Sequence, residues 1–328
     1  MALAVIVGGL ALSPDVRALA GGAVRRLTWG AVWATVPLQI GGTALCGVSL
    51  ALFTPGASFR ASLMSRALRD AANDLLVFLP GMGELIGTRS LVLTGSTARG
   101  AVAGTAMDLI AQAVAQVPFV LLALSAIPLM LGQWRPDGDT LRHIGVTVVL
   151  LGAVGAAVAA LRRHARRIGP LARIAAFARR RWVEVAEEWR GRRGAMPAAI
   201  ALHLLAWLTG GLQVWVAARV LGIDLSLFHA VVVQSAAYAV RSVLFVVPAG
   251  VGVQEAGFVV AGAALGLAQE QALALSLVLR ARDLVLGLPT LLAWPAIEWR
   301  YRGRPRGTKR SASLIAAGTK RGRLSRGS

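Results

Sequence analysis

The chain has 328 residues, 56% of them hydrophobic, and a mean hydropathy of +0.65, well above the roughly 45–50% apolar content of soluble domains. This excludes an ordinary soluble protein and points to several helices of about 20 apolar residues crossing a bilayer. The net charge of +20 would signal nucleic acid in a soluble chain. Here the arginines gather at 162–193 and 300–326, beside apolar runs, as in cytoplasmic loops facing anionic lipid, so no nucleic-acid partner is expected. Cys46 is the lone cysteine, which excludes a disulfide framework and a thiolate metal cluster.

Residues 1–12 are apolar but short, with no basic leader or clear cleavage site, and read as the remnant of a first helix rather than a signal peptide. Residues 13–28, with Pro14, Gly21 and Gly22, read as a loop. Residues 29–53 form a full span, with Trp29 and Trp33 suited to the interface and Pro55–Gly56 as its stop. Residues 59–95 differ. Arg60, Arg66, Arg69, Asp70 and Asp74 lead into LLVFLP, then PGMGE, then LIGTRSLVLTG. Each apolar piece is too short to cross, so the stretch predicts a re-entrant hairpin, a backbone break that survives only inside protein or beside a watery cavity. Residues 100–131 are a long span with Asp108 near one end and Pro118 as a kink. A short loop at 133–142 and a span at 143–161 follow.

Residues 162–194 hold eleven arginines and three glutamates. Leu171, Ile174, Ala178, Trp182, Val185 and Trp189 share one helical face, which predicts a basic amphipathic helix on the inner membrane surface, with a solvated connector as the alternative. Residues 197–221 span again, 228–267 form a second broken hairpin around PAGVGVQE, and 272–294 make the last span. The tail carries ten Lys/Arg and no acid after Glu298, the composition of a disordered segment.

The hairpins resemble each other. Gly81 and Gly83 follow Pro80; Gly250 and Gly252 follow Pro248. Glu84 lies eleven residues before Gly95, and Glu255 eleven before Gly266. A long helix with a carboxylate, Asp108 or Asp283, follows each. With the loop 162–194 and the tail inside, the hairpins enter from opposite faces, as in transporters with inverted repeats and a site near the midplane. This places Arg17, Arg25 and Arg26 outside. The expected fold is an all-α polytopic membrane protein of about six full spans plus two re-entrant hairpins. Its transmembrane domain covers 1–299, with halves at about 29–161 and 195–299, linker 162–194 and tail 300–328.

LPGMGELIGTR (79–89), VPAGVGVQEAG (247–257) and LSLVLRARDLVLGLPTLLAW (275–294) resemble the lysylphosphatidylglycerol-synthase transmembrane, or flippase-like, family, the last being similar to its hopanoid-biosynthesis-associated branch. The resemblance covers about 30–299. It implies a bacterial inner-membrane protein that moves polar-headed lipids or helps make them, with membrane lipids and lipid-biosynthesis enzymes as partners. Family members often carry an arginine beside the first carboxylate; MDLIAQ (107–112) has none, so any partner of Asp108 must come from elsewhere. The aminoacyl-transferring soluble domain of lysyl-lipid synthases is not found, and no nucleotide motif, metal spacing or dinucleotide fingerprint occurs. No cofactor, metal or catalytic residue is assigned.

Charges at membrane depth cost about 2.5–3.5 kcal/mol each, so Asp74, Glu84, Arg89, Asp108, Arg241, Glu255, Arg280, Arg282 and Asp283 must pair or face a polar cavity. Glu84, Arg89, Asp108, Arg241, Glu255, Arg280 and Asp283 are the candidate substrate-binding or proton-coupling residues. Pro80, Gly81, Gly83, Pro248, Gly250 and Gly252 are the hairpin turns. Glu255 is the expected partner of Arg280, and Glu84 of Arg89 or Arg241. Arg282 and Asp283, being sequence neighbours, are expected to partner other helices. Two roles stand for this set: salt bridges locking a bundle, or contact with substrate or protons. His203, inside a span, reads as a packing hydrogen bonder. Lipid transport is the leading function. A membrane-embedded transferase, with the carboxylates as general bases, and a non-catalytic scaffold are the alternatives.

Overall fold

The computed structural model describes residues 14–76, 79, 81–130, 187, 190–243 and 253–302. The expected helices at 1–12 and 143–161, the surface helix at 171–189, Pro80, Pro248, Gly250, Gly252 and the tail beyond 302 lie outside the described residues. Ten α-helices carry the described chain. They are α1 (Pro14–Arg26), α2 (Trp29–Phe53), α3 (Phe59–Leu75), α4 (Met82–Leu93), α5 (Ala98–Met130), α6 (Met196–Val220), α7 (Leu227–Val243), α8 (Val253–Ala264), α9 (Gln269–Leu292) and α10 (Trp294–Arg302). No strand occurs among the described residues.

Three described helices are long and apolar enough to cross a membrane: Trp29–Phe53, Ala98–Ala123 and Arg190–Val220. The last expected span, now α9, has 24 residues, enough for about 36 Å, but Arg280, Arg282 and Asp283 interrupt its apolar run. Residues 13–28, expected as a loop, are the helix α1. Proline is tolerated in a first helical turn, and Gly22 lies directly against the Glu270 side chain, so this glycine serves close approach to α9. The first hairpin also differs from expectation in its first arm. The polar stretch Phe59–Leu75 is the helix, and it ends before most of the apolar LLVFLP. Ser58 caps α3 by accepting from the Ala61 N–H at 3.2 Å.

α2 and α6 repeat in size, with 25 residues each. Packing repeats as well. α2 lies along α6; α3 packs on α9 as α7 packs on α5; α2 touches α9 as α6 touches α5. At one end Leu27, Leu221, Leu265 and Leu267 meet, so the α7/α8 pair opens there. At the other, Leu50 packs on Leu91 and Ala101, and Phe53 on Met107, Ala195 and Met196. The α3/α4 pair therefore opens at the opposite end.

The largest core cluster joins α2 (Ala31, Val32), α6 (Val214, Ala217, Ala218), α7 (Ala230, Val233, Ala237), α8 (Phe258, Ala261) and α9 (Leu275, Val278, Leu279). Alanine supplies many of these positions. Small residues let helices approach closely where lipid provides no hydrophobic drive between them.

Candidate functional site

Among the described residues, two charge clusters lie where these helices converge, one fully buried and one partly buried. The first surrounds Asp108 on α5, which is 0% exposed. Its Oδ1 accepts from Ser49 Oγ on α2 at 2.7 Å and lies 2.8 Å from His203 Nε2 on α6. Its Oδ2 lies 3.0 Å from Arg69 Nη1 and 3.6 Å from Arg66 Nη1, both on α3. Gln112, one turn along α5, accepts from Arg66 at 3.0 Å and from Arg69 at 2.9 Å. Arg66 also donates through Nε to Asp70 at 2.9 Å. The partner of Asp108 thus does come from elsewhere, from α3.

Because a carboxylate only accepts, His203 Nε2 carries the hydrogen, and Nδ1 faces Cys46 Sγ at 3.5 Å. Arg66 and Arg69 stand against Asp70 and Asp108. His203 is a hydrogen bonder, but it bonds a buried carboxylate rather than merely filling space. Sequence reading left Arg66 and Arg69 at the hairpin base and passed over Gln112 and Ser49. The available signal was Arg66, Arg69, Asp70 and Asn73, whose i, i+3, i+4, i+7 spacing makes a polar stripe.

The second cluster centres on Arg280 of α9. Its Nε donates to Glu255 Oε1, in the first turn of α8, at 2.9 Å. The side chains are 13% and 16% exposed. Asp74, at the end of α3, and Asp283 also act electrostatically on this guanidinium. The end of α3 and the first turn of α8 thus both place a carboxylate within electrostatic range of one arginine. The expected Glu255–Arg280 pairing is present. Arg282 does not reach another helix as expected: its Nη2 donates to Asp283 Oδ1 at 2.6 Å. Neighbouring residues project about 100° apart on a helix, yet the long arginine side chain bridges that gap.

Glu84 opens α4 and accepts from Asn73 Nδ2 at 3.1 Å, not from Arg89; the alternative pairing with Arg241 lies outside the described residues. Arg241 ends α7, and its side chain lies outside the described residues. Gly81 precedes α4 with φ +85, a left-handed conformation that glycine adopts without strain. A Cβ on Gly83 would strike the Arg69 carbonyl and the Asn73 side chain, so α3 and α4 touch through it. Arg89 stands apart: it pairs with Glu298 of α10 at 2.9 Å, near the open end of the α3/α4 pair. Sequence reading gave Glu298 no role. Among the described residues, no group of three or more His, Cys, Asp or Glu could hold a metal ion.

Apolar helices of spanning length, packed around fully buried charges, define an integral membrane protein. The chain belongs to the lysylphosphatidylglycerol synthase transmembrane region family, whose model matches residues 1–290. This makes it a membrane protein related to lipid metabolism. No curated protein and no solved structure gives a match.

Proposed function

We propose that this protein is a flippase-like lipid transporter built from two inverted halves, about 29–161 and 195–299. The α3/α4 and α7/α8 pairs are re-entrant hairpins entering from opposite faces. The matching lengths of α2 and α6, the reciprocal packing and the opposite openings support this reading. α9 then serves as the last span, its charges turned to protein rather than lipid, and with 1–12 and 143–161 the spans number six. Orientation follows from charge. Exposed Arg60, Arg99, Arg190, Arg193 and Arg300 mark one end as cytoplasmic, together with the linker 162–194 and the tail, in a bacterial inner membrane. The other end balances Arg25, Arg26 and Arg219 with Asp224 and Glu270.

The observation that carries the proposal is the Arg280–Glu255 ion pair at 2.9 Å between α9 and the first turn of α8, with Asp74 and Asp283 within electrostatic range of the same guanidinium. A polar head group near the midplane of an inverted repeat would there exchange its hydrogen bonds for those holding the two hairpin tips together. Glu84 and Asn73 border the same place. A polar-headed hopanoid or its precursor is the substrate suggested by the likeness of 275–294. The test is reconstitution into liposomes with a head-group accessibility assay. Wild-type protein moves labelled lipid without changing it, and Arg280→Met stops movement while the helices remain folded. A new lipid product would instead support a transferase or a partner of a lipid-synthesis enzyme. Movement at the wild-type rate in folded Arg280→Met would sink the assignment of the site.

A further inference from the structure

The C-terminal helix α10 is not a continuation of α9. The two meet at Ala293, and Pro295 follows. α10 packs on α4 and α9. Its inward face is Trp294, Ile297, Glu298 and Tyr301, a spacing of i, i+3, i+4 and i+7 that makes one helical stripe. Trp294 and Ile297 close an apolar cluster with Leu68, Ala72 and Ile86 of the α3/α4 pair. Glu298 is the one charged residue of that stripe, and Arg89 of α4 binds it. The helix is therefore a strap across the hairpin, fixed by apolar contacts and an ion pair.

That ion pair is an imperfect match. Arg89 Nε at 3.3 Å and Nη2 at 2.9 Å both donate to the single oxygen Oε1 of Glu298. A guanidinium fork is better satisfied by two oxygens of one group, as a phosphate offers. The Arg89 side chain is 39% exposed, so an outside anion can reach it. Trp299, the next residue after Glu298, is 83% exposed. A fully exposed tryptophan beside a spanning bundle suits head-group depth. Exposed Arg60, Arg99 and Arg300 at the same end draw anionic lipid toward it.

We propose that Arg89 is a binding site for the phosphate of an anionic phospholipid in the leaflet at this end, and that Glu298 fills it when no such lipid is bound. Lipid binding displaces Glu298 and loosens α10 from the α3/α4 pair. This site lies outside the Arg280 cluster and does not depend on the transport reading.

The test uses the full chain in nanodiscs of phosphatidylcholine alone or of an equal mixture with phosphatidylserine. Amide hydrogen exchange is followed over 294–302, with the cores of α2 and α6 as the folding control. Phosphatidylserine should speed exchange of α10 about five-fold, the upper range for a partly exposed ion pair. Glu298→Gln should exchange fast in phosphatidylcholine alone and ignore phosphatidylserine, whereas Glu298→Asp should recover both slow exchange and the response. Arg89→Gln should also be fast and unresponsive. Wild-type exchange that is equal in the two lipid mixtures overturns the proposal, and so does an Arg89→Gln protein that still responds. Acceleration by inorganic phosphate in phosphatidylcholine discs would assign the site to a free anion and overturn the lipid source. Since no transport is measured, these outcomes are independent of whether the protein moves lipid.

Discussion

Replacing Asp108 by asparagine keeps the shape of a fully buried side chain and removes one negative charge. Arg66 and Arg69 are then left with Asp70 alone as counter-ion, and Gln112 offers only a neutral acceptor. At 3.0 Å the attraction between Arg69 and Asp108 is about 5 kcal/mol with an effective dielectric constant near 20. Breaking one partner of a buried pair costs a net ~3–5 kcal/mol, because the remaining charge stays buried. Ser49 and His203 still find an amide oxygen, so hydrogen bonding offsets little of that loss. The measurement is reversible unfolding in detergent micelles for wild type, Asp108→Asn, Arg69→Gln and the double variant. Each single variant should be strongly destabilised, and the double variant should lose clearly less than the sum, since both residues act in one network. An Asp108→Asn protein within about 0.5 kcal/mol of wild type, the range of an ordinary surface change, would refute the reasoning. Strict additivity would refute it as well.

Gly83→Ala should loosen the α3/α4 pair by about 1–3 kcal/mol through overpacking, read as faster proteolysis or exchange within 70–90; an unchanged pattern would contradict the tight contact at Gly83. His203→Phe leaves Asp108 without one donor and should destabilise by about 1–3 kcal/mol, whereas His203→Gln, able to donate from its amide, should recover part of that loss in the same unfolding assay. Glu255→Leu combined with Arg280→Met removes a buried pair as a unit and should fold with near wild-type stability yet fail to move lipid in liposomes; transport at the normal rate would assign the pair to packing alone. Single-cysteine labelling from outside should reach residue 20 and miss residue 300; labelling of both from one side would break the proposed topology.

The amino-acid sequence by itself determined the class of fold. Spanning helices need long apolar runs, so residues 29–53, 100–131 and 197–221 were legible within one or two residues of α2, the start of α5, and α6. The spacing of Gly81, Gly83 and Glu84 against Gly250, Gly252 and Glu255 suggested two related segments, since tight turns restrict residue choice; Gly250 and Gly252 lie outside the described residues. Local pattern misjudged α1, where Pro14 and two glycines looked like a loop, whereas Pro14 sits in a first turn and Gly22 makes a close contact with α9. Which charges meet was beyond the sequence, because ion pairs between helices depend on how the helices pack. Glu255 and Arg280 were paired correctly from their positions in the second hairpin and its following helix. Arg89, by contrast, turned away from Glu84 to Glu298, 209 positions further along the chain. Asp108 gathered Ser49, Arg66, Arg69 and His203 from three other helices. Only the crossing of α2, α3, α5 and α6 decides that a lone carboxylate in an apolar run meets a serine, a histidine and two arginines.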